Sequence, residues 1–555
     1  MSALPPPHPA LRACVVVPAR DEAERIAACI DALAAQEGEA DAFEVLLVLD
    51  ACEDDTAARA LAAAARHPRL RLHLLESGTP GAGATRRRGM DAAAERLEAL
   101  GRADGLIAST DADTRAHPGW LRRQLDLVAA GAQAVGGLIV VEADGVPASV
   151  LRRRETRLGT RLAAVHPGET AEHPFFSGAS LGITVAAYRR AGGLRPIAAL
   201  EDQALERTLT ERGVPITRSR AVRVTTSGRI DGRARHGLSA DLRIDAWTDR
   251  RNFVASRFDA RALAEAKAQS VSVVLPCRQV AATVGTIVDA LDPLRALGLI
   301  DEVLVIDAAS PDGTAEVAAR HGARVVQESE VLPEFGPCRG KGDAMWRALA
   351  VAEGEIVAFI DADTIDFDPM FAVGLLGPLL TCPDIALVKG TFRRPLRAGD
   401  ALLPDEGGRV TELMARPLLS VVAPELGGFA QPLAGETAGR RDLLESLPFP
   451  VGYGIETAML IDALRARGLE ALAQVDLGTR LNRHQPLREL AAMSLAVLGA
   501  GLRRGLPEAE FDALAPGRMR VPTAGGGVEV RDVALDERPP LAGVRRRQER
   551  LASSG

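Results

Sequence analysis

Aromatic residues are scarce in this 555-residue chain, where 13 Phe, 3 Trp and 2 Tyr make up 3% of the total. Single-stranded nucleic acid is held on platforms of such rings, so that class of partner is not indicated. An excess of one charge is lacking too. The net charge is -7 and arginine is spread along the chain, which leaves no basic footprint for DNA or RNA. The six cysteines, Cys14, Cys29, Cys52, Cys277, Cys338 and Cys382, include no Cys-x-x-Cys pair. That argues against a zinc site or a disulfide framework and for a reducing compartment. Long apolar runs are missing as well. The longest, over 490–502, has 13 residues, against the roughly 20 needed to cross a bilayer. No signal-length apolar stretch precedes the first strand-like run. A cytoplasmic protein without a transmembrane segment is expected.

What is present is 47% hydrophobic and 25% charged residues with 53 Gly and 34 Pro, the profile of a loop-rich globular enzyme long enough for two large α/β domains. The sequence repeats itself once. Pro18 lines up with Pro276, Asp50 with Asp307 and Asp111 with Asp361, at offsets of 258, 257 and 250. Each copy opens on a β-branched run ending in proline, CVVVP at 14–18 and VSVVLP at 271–276, then passes through a helical stretch. A second apolar run ends in aspartate, FEVLLVLD at 43–50 and EVLVID at 302–307. Such continuous runs are expected of parallel strands covered on both faces, and ligands bind such sheets beyond the carboxyl ends of the strands. Pro18, Asp50, Pro276 and Asp307 fall there, as site residues or as ordinary strand ends. The expected organisation is a first domain over 1–255, a charged, Ala-rich helical connector over 256–269, a second domain over 270–514 and a poorly packed tail over 515–555.

The run Leu106 to Ser109 leads into Thr110, Asp111, Ala112 and Asp113, and Ile356 to Ile360 leads into Asp361, Ala362, Asp363 and Thr364. Residues i and i+2 of an extended strand share a face, so both carboxylates of each pair reach one ligand. Oxygen ligands suit Mg2+ or Mn2+, and a diphosphate leaving group needs such a cation against its developing charge. A single Asp-x-Asp is as readily a helix cap. Two copies in matching context favour the ligand role.

With the strand-proline opening and the aspartate after the second run, both halves resemble family 2 glycosyltransferases with a GT-A fold. The resemblance implies an α/β protein of two tandem GT-A domains, the Rossmann-like fold of nucleotide-diphospho-sugar transferases. In the first half it implies donor contacts at Pro18, Asp50 and Asp111 and a metal ligand at Asp113, with Arg20, Asp21 and Glu22 in the loop after Pro18. Glu201 and Asp202 match the Glu-Asp motif of inverting members, making Asp202 the base that deprotonates the acceptor hydroxyl. The same pair also reads as the start of a charged helix. Phe175, Phe176, Ser177 and Gly178 line an acceptor cleft or belong to the core. Arg86, Arg87 and Arg88 lean on the diphosphate or stand exposed on a helix.

Several segments of the second half are more specific: PCRQ at 276–279, RGKG at 339–342 with Met345 and Trp346, DAD at 361–363, Val388 with Lys389, RRP at 393–395, GGRVTE at 407–412, ARP at 415–417, QPL at 431–433 with Gly435 and Glu436, and GYGIE at 452–456. Across roughly residues 271–500 they resemble the glucosyl-3-phosphoglycerate synthases and their mannosyl relatives. That implies a UDP-glucose or GDP-mannose type of donor and a 3-phosphoglycerate-like acceptor. Donor contacts are implied at Pro276, Asp307, Lys341 and Asp361, a catalytic metal ligand at Asp363, and acceptor contacts at Gly408, Arg409 and Thr411. Gly407 and Gly408 let a turn expose backbone N–H groups, and Arg409 and Thr411 add donors, which suits a small anion; a structural turn with a surface arginine is the other reading. Lys341, between glycines, is placed to approach the diphosphate. Transfer in the resembled family retains configuration, so the leaving phosphate can take the proton and Glu456 orients substrate; as a helix N-terminal acid it has an equal claim.

The second half departs from that pattern. Gln279 and Val280 stand where Asn-Glu is usual, Ala308 where Ser is usual, and Asn482 where a metal-binding His is usual, with His484 two residues on as a candidate third ligand. These changes leave open that one half only binds or scaffolds. Sugar-phosphate nucleotidyltransfer shares the fold and the paired acids, but no Gly-rich Arg-Lys loop follows either first strand. The expected protein is a metal-dependent hexosyltransferase in its second half and a separate glycosyltransferase of unspecified acceptor in its first, with homodimerisation left open.

Overall fold

The structure is a computed structural model and describes residues 4–143, 145–163, 171–232, 235–394, 396–398, 401–403, 407–480, 489–514, 517–523 and 525–553. The chain divides into two compact units, Met1–Ala246 and Trp247–Gly555. In the first unit the apolar runs become strands buried on both faces. Val15, Val17, Val45 and Leu47 point into one apolar cluster, and Cys14, Val16, Leu46 and Val48 into another. The second unit repeats the alternation, with Val273, Leu275, Val303 and Val305 on one side of its sheet and Val274, Leu304 and Ile306 on the other. Helices cover both faces, as a mainly parallel sheet requires.

The first sheet runs Leu72–Glu76, Phe43–Leu49, Ala13–Ala19, Leu106–Ser109, Leu181–Thr184, Ala134–Val141, Ile216–Thr226, Thr114–Ala116. Its first four strands are parallel, and Leu181–Thr184 is antiparallel to both neighbours. The second sheet runs Arg324–Gln327, Glu302–Asp307, Val271–Cys277, Ile356–Phe359, Thr437–Arg440, Leu387–Arg393, Leu472–Thr479, Asn252–Val254. Orientations match through seven positions. The repeat extends to backbone strain. Asp21 and Gln279, and Ala51 and Ala309, are non-glycine residues in the left-handed region, at φ 46°, 56°, 47° and 52°.

Three expectations need correction. The eighth strand of the second sheet, Asn252–Val254, lies within the stretch assigned to the first domain, so the division falls at Ala246/Trp247 rather than at 255. Trp247 is buried and donates to the Leu472 carbonyl at 2.8 Å. The connector is also part of the second unit, since Leu263 on the helix Ala260–Ala266 is buried in its core. The tail is exposed along its hairpin, Arg518–Pro522 with Val528–Asp532, but packed beyond it. Glu537–Arg538 pairs with Phe449–Pro450, Leu541 is buried, and Trp346 Nε1 donates to the Pro539 carbonyl at 2.9 Å. Individual anchors rather than a periodic pattern hold it, which is why periodicity missed it. No helix among the described residues is long and apolar enough to cross a membrane.

Candidate active site

At the carboxyl end of Ile356–Phe359, Asp361 is met by Lys341 Nζ at 2.7 Å and Arg480 Nη1 at 3.4 Å. Lys341 is the first residue of the helix Lys341–Val351, entered through Gly340 at φ 141°, which glycine adopts without steric cost. Glu456, in the first turn of Ile455–Arg467, binds the same ammonium at 2.9 Å. Burial opposes charge on both Lys341 and Asp361, but attraction prevails. Asp361 and Glu456 hold Lys341 above its ordinary value, and Lys341 and Arg480 hold Asp361 below its own. Arg480 also reaches Asp363 at 3.2 Å and pairs with the fully buried Glu436. A Cβ on Gly435 would collide with the Asp361 carboxylate, so the glycine is required by close approach.

Lys389, on Leu387–Arg393, is buried beneath this cluster and donates to the Ala434 carbonyl and to Thr437 Oγ1. Burial brings its pKa down to about 8. A lysine that holds its proton less tightly folded than unfolded weakens the fold at neutral pH, and this penalty disappears as pH rises from 8 toward 10.5. Wild type is therefore expected to gain stability relative to Lys389→Met over that window, by at most about 3 kcal/mol. Denaturant titrations at the two ends of the window would read it, and a constant difference would refute the charged, buried lysine.

Asp307 closes Glu302–Asp307. Its Oδ2 accepts from the Ser310 N–H at 3.0 Å and from Gln327 Nε2 at 3.1 Å, while the buried Oδ1 has no partner among the described residues. A buried acceptor in that state is suited to a ligand donor. Pro276 lies one position from the end of the neighbouring strand. In the loop at 407–411, Gly407 donates its N–H to the Arg394 carbonyl at 2.9 Å, an approach a Cβ would block, and Gly408 has φ 72°. Thr411 is buried at the start of a wide helical turn, Thr411–Ala415, and Arg409 lines an apolar cavity of about 400 Å³. The Arg394 guanidinium lies 4.7 Å from the Phe392 ring centre and that of Arg480 lies 5.4 Å from it. Phe392 thus lies between Arg394, whose carbonyl holds Gly407, and Arg480 beside the paired carboxylates.

The first unit builds a related cluster with different residues. Arg86 Nη2 binds Asp111 at 2.7 Å, Nε binds Glu201 at 3.0 Å, and Nη1 donates to Ser109 Oγ and to the Gly178 carbonyl. The acid-cation-acid arrangement of Asp361, Lys341 and Glu456 recurs, with the cation one turn inside the helix Ala82–Glu98 rather than at its start. Arg86 is buried, neither on the surface nor available to a phosphate. Arg87 pairs with Asp91. Phe175 and Phe176 are core residues. Asp202 sits in the first turn of Glu201–Glu211, accepting from the Gly178 N–H at 3.0 Å and the Gln203 N–H at 2.8 Å. Asp50 accepts from the Gly81 N–H at 3.1 Å, with Arg20 4.0 Å away, and Pro18 falls on the adjacent strand. Arg229 lies 3.1 Å from Asp113 and 2.6 Å from Glu22. Burial and the neighbouring Asp111 carry the Asp113 carboxyl up to about 6 against the pull of Arg229.

Arg229 and Arg480 were not recognised in the sequence as site residues. A signal existed, because each arginine follows the second aspartate of its motif at nearly the same separation, 116 residues for Asp113 and 117 for Asp363. A divalent cation such as Mg2+ or Mn2+ calls for hard oxygen donors. Asp363 offers a hard oxygen donor on a side chain that is 70% exposed, with one oxygen on Arg480, and suits such an ion. His484 and Asn482 lie outside the described residues.

Residues 14–189 and 272–388 match the family described as Glycosyl transferase family 2. The chain is 47% identical over 285 residues to a glucosyl-3-phosphoglycerate synthase of Mycolicibacterium smegmatis, an alignment covering 50% of this chain and 91% of that protein. It is 42% identical over 335 residues to one of Mycolicibacterium paratuberculosis, covering 58% of this chain and 100% of the relative. A solved structure of glucosyl-3-phosphoglycerate synthase from Mycobacterium tuberculosis with Mn2+, uridine-diphosphate-glucose and phosphoglyceric acid is 43% identical, covers 52% of this chain and 95% of that chain, and has a TM-score of 0.46.

Proposed function

The chain belongs to glycosyl transferase family 2, and we propose that its second unit moves a hexose from a nucleoside-diphosphate sugar to 3-phosphoglycerate. The observation that carries the reading is the junction at Phe392. It puts the anion loop at 407–411 beside a carboxylate motif already braced by Lys341 and Arg480. Lys341, Arg394 and Arg480 bring three cations to the strand ends where a donor diphosphate would lie. Asp307, through the Oδ1 that has no partner among the described residues, would accept an N–H from the nucleobase. Gly408, Arg409 and Thr411 would hold the acceptor's charged groups. The names of the curated relatives, glucosyl-3-phosphoglycerate synthases, support a hexose as the group moved and 3-phosphoglycerate as the acceptor.

Mg2+ or Mn2+, held by Asp363 and a further ligand for which His484 is the candidate, would neutralise the charge developing on the diphosphate. Lys341 shares that task from the other side, and Glu456, bonded to it, keeps the ammonium aimed at Asp361. Transfer with retention needs no carboxylate base, because the departing diphosphate can accept the proton of the acceptor hydroxyl. We place this chemistry in the cytoplasm, in tandem GT-A domains. The first unit is read as a second glycosyltransferase, with Asp50 and Asp111 toward its donor and Asp202 as base toward its acceptor.

The test is a product assay on the full chain with a panel of nucleotide sugars, Mg2+ or Mn2+, and 3-phosphoglycerate present or absent. Acceptor-dependent release of nucleoside diphosphate, with a hexosyl-phosphoglycerate mass, is expected. Release that never depends on 3-phosphoglycerate, whatever the donor, would overturn the acceptor assignment.

A further inference from the structure

The two units carry the same motif and an arginine in corresponding positions, yet they direct that arginine differently. Glu22 and Val280 are equivalent residues. Each follows its opening proline by four positions, and their backbone N–H groups bond matching threonine hydroxyls, Thr56 at 2.7 Å and Thr314 at 2.9 Å. Glu436 and Ser180 are equivalent too, each immediately preceding the antiparallel strand that pairs with the motif strand, as Phe359 pairing with Thr437 and Ser109 with Leu181 shows. The carboxylate that anchors the arginine has therefore changed sides. In the second unit Glu436 draws Arg480 down under the motif, and Asp363 stays 70% exposed. In the first unit Ser180 cannot do this. Glu22 instead holds Arg229 through both of its oxygens, at 2.6 and 3.0 Å, across Asp113, whose side chain is only 14% exposed.

We propose that Arg229, anchored by Glu22, stands in the first unit where a divalent cation would stand, so that Asp113 is not a metal ligand and this unit meets its anionic ligand with a guanidinium. A fixed guanidinium supplies positive charge and directed donors to phosphate without a coordination sphere. A cation entering beside Asp113 would have to displace it or bear its repulsion at close range. The inference concerns the first unit and does not depend on the acceptor assigned to the second.

Manganese titrated into the full chain in the presence of uridine diphosphate, with free Mn2+ followed by electron paramagnetic resonance, tests this. One equivalent per chain is expected in wild type, unchanged in Asp113→Ala and lost in Asp363→Ala. Arg229→Ala, or Glu22→Gln should the first variant fail to fold, is expected to raise the count by one, since either frees Asp113 from its fixed partner. Two equivalents in wild type, or the loss of one in Asp113→Ala, would overturn the proposal. So would no gain in folded Arg229→Ala and Glu22→Gln chains. Retention of the equivalent in Asp363→Ala with these first-unit results intact would count against the metal assignment of the second unit alone.

Discussion

Asp363→Ala is expected to lower acceptor-dependent nucleoside-diphosphate release by the second unit on the order of 1,000-fold. The group removed offers a hard oxygen at the motif, and an ion that neutralises a leaving diphosphate contributes several kcal/mol to the transition state, each 1.36 kcal/mol being tenfold in rate. The alternative view of the site makes a different forecast. Lys341, Arg394 and Arg480 already bring positive charge there, and if they were sufficient Asp363 would be dispensable. Its exposure makes the test clean, because a side chain 70% exposed with one contact to Arg480 has little part in stability. An unchanged melting temperature with lost transfer is the expected combination. Full activity would remove the metal from the proposed chemistry.

The largest effect on stability is expected at Asp343. This carboxylate is fully buried between Arg347, also fully buried, and Arg538, whose Nε lies 2.9 Å from Oδ1. Arg347 donates in addition to the carbonyls of Glu328 and Gly336, and Arg538 to that of Phe335. Asp343→Ala would remove the carboxylate that pairs with both buried guanidiniums, and breaking a buried pair from one side costs about 3–5 kcal/mol. Urea unfolding should show that loss in the transition of the second unit, with the first unit's transition in place. A loss below about 1 kcal/mol would mean that backbone carbonyls alone satisfy both arginines.

The contrast between these two sites shows what the sequence could reveal. Asp361 and Asp363 were legible because extended strands alternate and the acids follow an unbroken apolar run; the parallel strands at 14–18, 43–50, 271–276 and 302–307 were legible for the same reason. Lys341 was legible because two glycines flank it. Arg229 and Arg480 are brought to their acids by sheet order, from more than a hundred residues away, and no local pattern encodes that. For Arg86 the sequence leaves a diphosphate contact and an exposed helix position open, because three consecutive arginines span most of a helical turn and only packing decides which one turns inward. Arg538 was hidden in a stretch without periodicity, since a residue held by a single buried carboxylate leaves no repeat to detect.

The strand Asn252–Val254 also limits how the chain can be cut. It covers the outer edge of Leu472–Thr479 in parallel register, and in the chain it precedes Val271–Cys277, at the centre of the same sheet. A fragment begun at residue 270, where hydrophobic patterning alone would place the start, would leave that edge with unpaired backbone groups, the usual template for intermolecular strand addition and aggregation. It would also take Trp247 out of the interior and leave the Leu472 carbonyl without its donor. Insolubility of such a fragment would therefore reflect a missing border strand, and would carry no information about whether the second half is an independent enzyme.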